Sequence, residues 1–281
     1  MQNAPSSEPI PQLTLSVVLF HSPLEQLRAL LESVIVSLRA AHLTGVQMVC
    51  WDNSCDAAYS AQCQHLLRDF GSQDSLAMTY VMAEHNGGYG AGHNHAMSSC
   101  EGPFHLILNP DVQLSEEAIC LAMEVLMSEP SVAVLAPTGR RDSGEPEYLA
   151  KAYPSVWVLG LRAFGPAWLN RLDERALARY EMRDQPSRGK VRPVKLASGC
   201  CMWVRREIFD AVGGFDERFF LYFEDYDLSL KMAQQGQVLE HSQIRIVHHG
   251  GDAARKGARH IRWFISGAIR FFNRWGWKWF G

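Results

Sequence analysis

The sequence predicts an α/β fold in which a mainly parallel central sheet is flanked by helices, with an amphipathic helix at the C-terminus. Strand-like apolar runs and helix-like patterns alternate four times between residues 14 and 128. Alternation with short links favours parallel strands covered by helices on both faces. The 281 residues are 47% hydrophobic and 20% charged, so they can form a large packed core, and global disorder is excluded.

The first two strands and helices have the clearest patterns. Residues 14–20 are continuously apolar and partly β-branched, which predicts a buried strand. Pro23 then opens a helix that ends before Gly45 and has one apolar face. Residues 46–51 predict the second strand, and a weaker helix covers 56–70. The apolar helix face consists of Leu24, Leu27, Leu31, Val34, Leu38 and Ala41.

Two further strand–helix units complete the first half. Residues 77–82 predict a third strand, which leads into a glycine-rich loop over 86–92 and a short helix. Residues 104–108 predict a fourth strand, and a helix follows over 115–128. This order extends the parallel sheet by two strands.

The second half is less regular. Residues 139–155 are polar and predict a mobile loop, and residues 156–193 predict an insertion that faces an acceptor substrate. Regular patterns return further on. They predict strands over 194–205 and 243–247 and helices over 206–212 and 226–235.

Composition excludes several classes of protein. Residues 1–12 are polar and Pro-rich, which predicts a disordered N-terminus and not a signal peptide. No stretch has the roughly 18–20 unbroken apolar residues needed to span a bilayer. The seven cysteines contain no C-x-x-C pair, so neither a disulfide framework nor a zinc site is expected, and a reducing cytoplasm is indicated.

The charge is unevenly distributed along the chain. Residues 255–281 contain seven Lys or Arg and no acid, which leaves a net charge of −10 in residues 1–254. Residues 259–281 combine these cations with four tryptophans and with apolar residues at helical spacing. Such a helix suits an anionic membrane surface; a helix packed on the body is the alternative, and nucleic-acid binding lacks a recognisable module.

Polar clusters follow three of the predicted strands. Asp52-Asn53 follows the second strand, Asn86-Gly87-Gly88 the third and Asn109-Pro110-Asp111 the fourth. In open parallel sheets, ligands bind beyond the carboxyl ends of the strands. The glycine spacing differs from the dinucleotide-binding fingerprint and follows the wrong strand, and the P-loop motif is absent. Each cluster could also be a plain turn or helix entry.

A nucleotide sugar would suit these clusters. Asp52 can bind its base or ribose, and Asp111 can hold Mg²⁺ or Mn²⁺, because such cations take oxygen ligands and share them with substrate phosphates. The glycine-rich loop allows close approach of the backbone. Glu224 and Asp225 lie in an aromatic stretch, where a carboxylate could deprotonate an acceptor hydroxyl.

Seven motifs in a fixed order resemble those of a known family. They are Asp52-Asn53-Ser54, Asn86 to Asn94, Asn109-Pro110-Asp111, Ser198-Gly199-Cys200, Gly213 to Asp216, Phe223 to Asp227 and His248 to Gly251. The set resembles family 2 of the inverting nucleotide-sugar glycosyltransferases, which have the Rossmann-like GT-A fold, and most resembles the bacterial rhamnosyltransferase-like branch. The resemblance covers roughly residues 14–252.

The resemblance implies a role for each motif. Asp52 would contact the nucleotide base, and Asp111 would be the metal-binding aspartate. Asp225, with Glu224 beside it, would be the catalytic base of a single displacement with inversion. His248 would be a further ligand of the metal or diphosphate. The implied donor-binding residues are Asp52, Asn53, Asn86, Gly87, Gly88, Asn94, Asn109 and Asp111.

The resemblance also implies the organisation and the pathway. Residues 13–252 would form the GT-A domain, with a nucleotide-sugar-binding half over 13–135 and an acceptor-binding half over 136–252, followed by a basic aromatic tail over 253–281. The donor would be dTDP-L-rhamnose and the acceptor a glycan or a lipid-linked glycan in polysaccharide or lipopolysaccharide synthesis. The enzyme would act at the inner face of the cytoplasmic membrane.

Two departures from the family pattern keep alternatives open. Asn109-Pro110-Asp111 lacks one carboxylate of the usual metal motif, so a catalytically inactive nucleotide-sugar-binding protein is an alternative. Arg270 to Trp275 is one residue too long for the motif of processive members, which favours transfer of one sugar per encounter. UDP- and GDP-sugars remain alternative donors, and a nucleotidyltransferase would need a basic loop that residues 21–23 do not provide.

Overall fold

The computed structural model describes residues 12–71, 75–164, 173–183, 190–250 and 257–280. Nearly all of the predicted disordered N-terminus, parts of the predicted insertion over 156–193 and the first residues of the predicted tail lie outside these ranges.

Strands and helices alternate through the first half as the sequence predicts. The strands are β1 (Leu13–Leu19), β2 (Val46–Asp52), β3 (Leu76–Met82), β4 (Phe104–Leu108), β5 (Val112–Leu114), β6 (Val132–Arg140), β7 (Pro146–Glu147), β8 (Ala150–Lys151), β9 (Val191–Pro193), β10 (Leu196–Ala197), β11 (Cys201–Arg205) and β12 (Gln237–His248). The helices are α1 (Leu24–Ala40), α2 (Ala57–Asp69), α3 (Tyr89–Ser98), α4 (Ala118–Ser128), α5 (Val156–Phe164), α6 (Glu174–Tyr180), α7 (Arg206–Ala211), α8 (Glu224–Met232) and α9 (Gly257–Trp275).

The central sheet has the strand order β3-β2-β1-β4-β11-β6-β12-β5 in the described part of the chain. β3, β2, β1 and β4 are parallel, as are β6 and β12, whereas β11 runs antiparallel to both β4 and β6. The predicted α/β class with a mainly parallel sheet is confirmed.

Helices cover both faces of this sheet. All seven residues of β1 are buried, because the strand lies between two layers of apolar side chains. On one face, β1 packs with α1 and α4 in a core that includes Leu27, Leu31 and Ile119. On the other face, a second core joins α3, α7 and α8 through Met97, Phe209 and Leu228. α2 begins at its cap, where the Asp56 carboxylate accepts hydrogen bonds from two backbone N–H groups.

Strand β6 was missed by the sequence analysis. It lies between β11 and β12 in the middle of the sheet, and six of its nine residues in a row are buried. Its first five residues are continuously apolar, which is the signal of a buried strand. The predicted loop over 139–155 is wrong in part, since it includes the end of β6 and the short strands β7 and β8.

The strand predicted over 194–205 is two strands. β10 and β11 are separated by Ser198-Gly199-Cys200, and β10 pairs with β8 in a small sheet of its own. β11 returns to the central sheet. The break between the strands brings the Gly199 backbone to the N-terminal turn of α8, where its N–H donates to Asp225 at 3.0 Å.

The C-terminal helix α9 uses its wide apolar stripe in two ways. Phe271 and Phe272 are buried against Phe219 and Phe223 of the body. Three isoleucines on another face remain between 44% and 46% exposed, namely Ile261, Ile265 and Ile269. In the described residues, no helix is long and apolar enough to cross a membrane.

Candidate active site

The polar clusters after the parallel strands lie along one rim of the sheet. Asp52 ends β2 and lies between Leu19 of β1 and Met82 of β3 in the strand register. Its backbone carbonyl accepts from Ala83 N–H at 2.8 Å. Asn109 follows β4 on the other side of β1, and its N–H donates to the Cys200 carbonyl at 2.8 Å. The geometry therefore brings the first and third clusters to strand ends on the two sides of β1.

Asp52 is completely buried beneath this rim. One carboxylate oxygen accepts from Tyr80 Oη at 2.6 Å, and the other accepts from Ser54 N–H at 2.8 Å. The side chain thus fixes the turn after β2. Each carboxylate oxygen of Asp52 accepts one hydrogen bond here and has a further lone pair, which a ligand bound at this rim could use.

Asn53 connects that turn to the glycine-rich loop. Its Nδ2 donates to the Gly88 carbonyl at 2.9 Å, and its Oδ1 accepts from Trp51 Nε1 at 3.2 Å. Asn86 closes the loop internally, because its Oδ1 accepts from Gly88 N–H at 2.9 Å. Both asparagines hold the loop in shape.

Gly88 is required at its position for two reasons. Its φ of +93° lies in a region that L side chains rarely adopt. A Cβ on Gly88 would also overlap the Phe220 carbonyl oxygen, which accepts from Tyr89 N–H at 3.0 Å. The loop therefore packs directly on the segment that precedes α8. Gly87 has no such restriction, and a Cβ there would lie 3.1 Å from Ala91 Cβ.

Asn94, which the resemblance implies to bind the donor, forms hydrogen bonds with a neighbouring loop. Its Nδ2 donates to the Phe215 carbonyl and to Glu217, both at 3.0 Å, and its Oδ1 accepts from Phe215 N–H at 2.9 Å. Both ends of the amide are used in supporting the loop around Phe215. Asn94 therefore supports that loop, and its role in binding the donor stays a prediction.

Asp111 and His248 meet at the end of β12. His248 Nε2 lies 3.4 Å from Asp111 Oδ1, and His248 Nδ1 lies 2.9 Å from Glu147 Oε2. Burial lowers the pKa of His248, but the two carboxylates outweigh this effect and raise it to about 9. Glu147 was missed in the sequence, because it falls in the segment that was interpreted as a mobile loop.

This corner fits a divalent cation. Two neighbouring ligand atoms of such an ion lie about 3 Å apart when each bond is about 2.1 Å, and Asp111 Oδ1 and His248 Nε2 have that spacing. Glu147 holds the other ring nitrogen, as carboxylates commonly do for metal-binding histidines. A Cβ at Gly250 would overlap Asp111 Oδ2, so glycine keeps this corner open. The described residues include no group of three side chains arranged as a complete metal site.

Glu224 and Asp225 open helix α8, and their carboxylates have different surroundings. Asp225 Oδ2 accepts from Gly199 N–H at 3.0 Å and Oδ1 accepts from Tyr226 N–H at 2.8 Å. Glu224 Oε2 is buried without a hydrogen-bond partner among the described residues. Burial and the charge of Asp225 raise the pKa of Glu224 well above its usual value, whereas the backbone donors oppose the rise that burial causes in the pKa of Asp225. The charged form is therefore better stabilised at Asp225 than at Glu224.

Tyr89 lies close to both the acidic pair and Asp111. Burial raises the pKa of its phenol, and the charges of Glu224, Asp225 and Asp111 add to this effect. The Tyr89 hydroxyl donates to the Gly199 carbonyl at 2.6 Å, and the Gly199 N–H donates to Asp225. Tyr89 is thus close to both acidic centres of the candidate site, a position that no sequence pattern predicted.

Three further polar residues support the fold. His93 is fully buried in α3. Ser16 Oγ lies 2.7 Å from both His93 Nδ1 and His105 Nε2. Asp216 and Asp227 form ion pairs with Arg274.

The described fold agrees with comparisons to known proteins. A family model described as "Glycosyltransferase like family 2" matches residues 11–249. The chain therefore belongs to this family of glycosyltransferases, and the resemblance proposed from the motifs is confirmed.

Individual relatives show what this chain is similar to. It is 33% identical over 178 residues to an N-acetylglucosaminyl-diphospho-decaprenol L-rhamnosyltransferase of Mycobacterium tuberculosis, a match that covers 60% of this chain and 56% of the relative. It is 24% identical over 245 residues to the O-antigen biosynthesis protein RfbC of Myxococcus xanthus, covering 86% of this chain and 18% of the relative. The chain thus spans about half or less of these relatives.

A solved structure shares the fold. The crystal structure of GalNAc-T7 with UDP, GalNAc and Mn²⁺ superposes with a TM-score of 0.64 at 12% identity, over 95% of this chain and 48% of that one. At this identity the similarity concerns the fold, and it confirms the predicted GT-A architecture.

Proposed function

We propose that this protein transfers one sugar from a nucleotide-sugar donor to a hydroxyl of a glycan or lipid-linked acceptor, by a single displacement with inversion at the anomeric carbon. The observation that carries this proposal is the closeness of two acidic centres to the same residue, Tyr89. One is Asp111 with His248, and the other is Asp225 with Glu224.

Each centre has a separate task. A divalent cation, Mg²⁺ or Mn²⁺, held by Asp111 and His248 would neutralise the charge that develops on the leaving diphosphate. Diphosphate oxygens of the donor would supply ligands that the described side chains do not. The glycine-rich loop held by Asn53 and Asn86 would pack against the donor, and Asp52 would bind its base or ribose.

Asp225 would act as the general base. Its carboxylate takes the proton from the acceptor hydroxyl as that oxygen forms its bond to the anomeric carbon, while the bond to the diphosphate oxygen breaks. The products are the glycoside and a nucleoside diphosphate, and Asp225 later releases its proton to water. The raised pKa of Glu224 favours its neutral form, and a neutral Glu224 would not repel the leaving diphosphate.

L-Rhamnose carried by dTDP is the proposed donor sugar. The relative from Mycobacterium tuberculosis is named as an L-rhamnosyltransferase acting on a diphospho-decaprenol lipid, which supports both this sugar and a lipid-linked acceptor. The relative from Myxococcus xanthus is named for O-antigen synthesis, which supports a role in assembling surface polysaccharide or lipopolysaccharide.

A donor panel tests this assignment. The purified chain is incubated with Mn²⁺, an N-acetylglucosaminyl diphospho-lipid and dTDP-rhamnose, a UDP-sugar or a GDP-sugar, and the products are identified by mass spectrometry. Transfer of rhamnose alone supports the proposal, and transfer from another donor corrects the sugar. Nucleotide binding without turnover in wild type, unchanged by Asp225→Asn, would instead support the inactive nucleotide-sugar-binding protein that Asn109 suggests.

The exposed side of α9 is the proposed contact with an anionic membrane surface, at the inner face of the cytoplasmic membrane. Ile261, Ile265 and Ile269 follow one another at every fourth residue and form what is here called the isoleucine face. Arg259 and Arg262 are exposed beside it. A helix with this combination lies in the plane of a bilayer, and each cation near an anionic surface contributes about 1 kcal/mol.

Vesicle co-sedimentation tests this contact. Wild type should sediment with phosphatidylglycerol vesicles and much less with phosphatidylcholine vesicles. Replacement of Ile261, Ile265 and Ile269 by Ser should abolish sedimentation, whereas Val36→Ser on α1, where the valine is 48% exposed, should leave it unchanged. Equal sedimentation of the triple variant and wild type would refute a membrane role for the isoleucine face.

A further inference from the structure

The segment before the acidic pair has an unusual backbone. Tyr222 and Phe223 both have positive φ, +72° and +70°. Bulky residues rarely adopt this conformation and keep it only where neighbouring atoms enforce it. Phe223 directly precedes Glu224, so whatever enforces this conformation also sets the direction in which α8 presents its acids.

Helix α9 contacts this strained segment at close range. A Cβ on Gly267 would lie 2.9 Å from the Tyr222 carbonyl oxygen and 3.0 Å from Phe223 Cδ2. The Phe264 ring lies 5.1 Å from the ring of Phe223, and Tyr222 Oη lies 2.9 Å from His260 Nδ1. A glycine at the closest approach lets the backbones of the two segments meet.

The same helix holds the chain on the other side of Asp225. The Asp227 carboxylate is completely buried, accepts from Trp275 Nε1 at 2.9 Å and lies 3.2 Å from Arg274 Nη1. A buried carboxylate needs such donors, because removing them leaves a charge without compensation. Phe223 and Asp227, which lie on the two sides of the acidic pair in the sequence, thus both contact α9.

The contact extends to the glycine-rich loop. Trp263 of α9 stacks on Phe220 with ring centroids 4.5 Å apart, and the Phe220 carbonyl accepts from Tyr89 N–H next to Gly88. The helix therefore reaches both the proposed base and the proposed donor loop through one continuous segment, residues 219–223.

We propose that α9 is a positioning element of the active site, with Gly267 and Trp275 as positioning residues that hold residues 219–227 so that Asp225 faces the acceptor hydroxyl. This inference rests on the proposed function for the role of Asp225. It assigns to the tail a catalytic purpose separate from membrane contact, because the residues involved lie on the inner face and not on the isoleucine face.

Two variants and two matched controls test the proposal. Trp275→Phe keeps the ring and removes the N–H that Asp227 accepts. Its control, Trp277→Phe, removes an indole N–H that donates to Asn273 at 3.0 Å, away from the loop. Gly267→Ala adds a Cβ against Tyr222, whereas its control, Gly160→Ala in α5, adds one where no described atom lies within 4 Å.

Hydrogen exchange followed by mass spectrometry gives a readout independent of activity. Trp275→Phe should speed amide exchange in residues 219–227 by about tenfold, because a hydrogen bond to a buried charge is lost. Gly267→Ala should speed it as well, because the added Cβ pushes Tyr222 and Phe223 away from α9. Both controls should match wild type. Unchanged exchange in folded Trp275→Phe and Gly267→Ala would overturn the proposal, even if no transferase activity is found in wild type.

Steady-state kinetics then tests the catalytic part. If wild type is active, both variants should lower kcat by about tenfold to a hundredfold with donor KM nearly unchanged, and the acid limb of the pH–rate profile should move. A loop that exchanges faster while kcat and the pH profile stay at wild-type values would show a purely structural contact and would overturn the assignment.

Discussion

Glu224 and Asp225 are neighbours in the chain, yet their carboxylates have opposite surroundings. Asp225 accepts two backbone hydrogen bonds, and the charged form of a carboxylate is stabilised by such donors. Glu224 is buried with no donor to its Oε2 among the described residues. The sequence predicted that the two acids act together, but it could not divide their roles, because the deciding donor is Gly199, 26 residues away.

Asp225→Asn should remove the base and leave the donor site intact. We expect the rate of transfer to fall by about 10²–10⁴-fold, the usual contribution of a general base, with the affinity for nucleotide unchanged. Product formation measured at saturating donor checks this. A variant with near wild-type turnover would assign the base elsewhere.

The activity of wild type should fall as the pH is lowered through the pKa of Asp225, because the base must be ionised. Burial raises this pKa above that of an exposed aspartate. The acid limb of kcat should therefore lie above about pH 4. A profile that stays flat to that pH would contradict the assignment.

Glu224→Gln should alter stability in a pH-dependent way. The raised pKa means that the folded protein favours protonated Glu224, so wild-type stability decreases as the pH rises above about 4.3, the ordinary pKa of glutamate. Glutamine does not titrate. Denaturant unfolding from about pH 4 to pH 7 should show the variant gaining stability relative to wild type, and a constant difference would contradict an uncompensated buried Glu224.

At the scale of elements, regular segments followed from local pattern and the irregular ones did not. α1 has a clear period and β1 a continuous apolar run. β1 lies within one residue of both predicted ends, whereas α1 begins one residue after Pro23 and ends at Ala40, well before Gly45. The break at 198–200 and the pairing of Glu147 with His248 depend on contacts distant in sequence, so local pattern held no signal for them. β6 had a signal, since its apolar run is as clear as that of β1.

The glycine-rich loop gives a stability prediction at this scale. Gly88→Ala introduces both a strained φ and an overlap with the Phe220 carbonyl, whereas Gly45→Ala introduces a strained φ of +68° with no described atom within 4 Å. We expect Gly45→Ala to cost about 1 kcal/mol and Gly88→Ala to cost at least about 1–2 kcal/mol more. Denaturant unfolding measures both, and equal losses would show that the loop yields at Phe220.

At the scale of the whole molecule, an acidic body is joined to a basic helix. Asp52 and Asp111 follow strands of the sheet, Asp225 lies in the first turn of α8, and α9 packs on the segment that precedes Asp225. The polar clusters after the strands predicted the places of Asp52 and Asp111. The sequence did not predict Tyr89 close to both acidic centres or the attachment of Asp227 to α9, because both depend on the packed arrangement of helices.

Metal-dependent nucleotide binding at the Asp111–His248 corner is the central claim, and a thermal-shift panel tests it most directly. Wild type is heated with dTDP, UDP or GDP, each with and without Mn²⁺, because a bound ligand raises the apparent melting temperature. We predict a rise with one nucleotide that requires Mn²⁺, is lost in Asp111→Ala and persists in Asp69→Ala, whose carboxylate pairs with Arg28 on the surface. No rise with any nucleotide, or a rise that survives Asp111→Ala, would contradict the account.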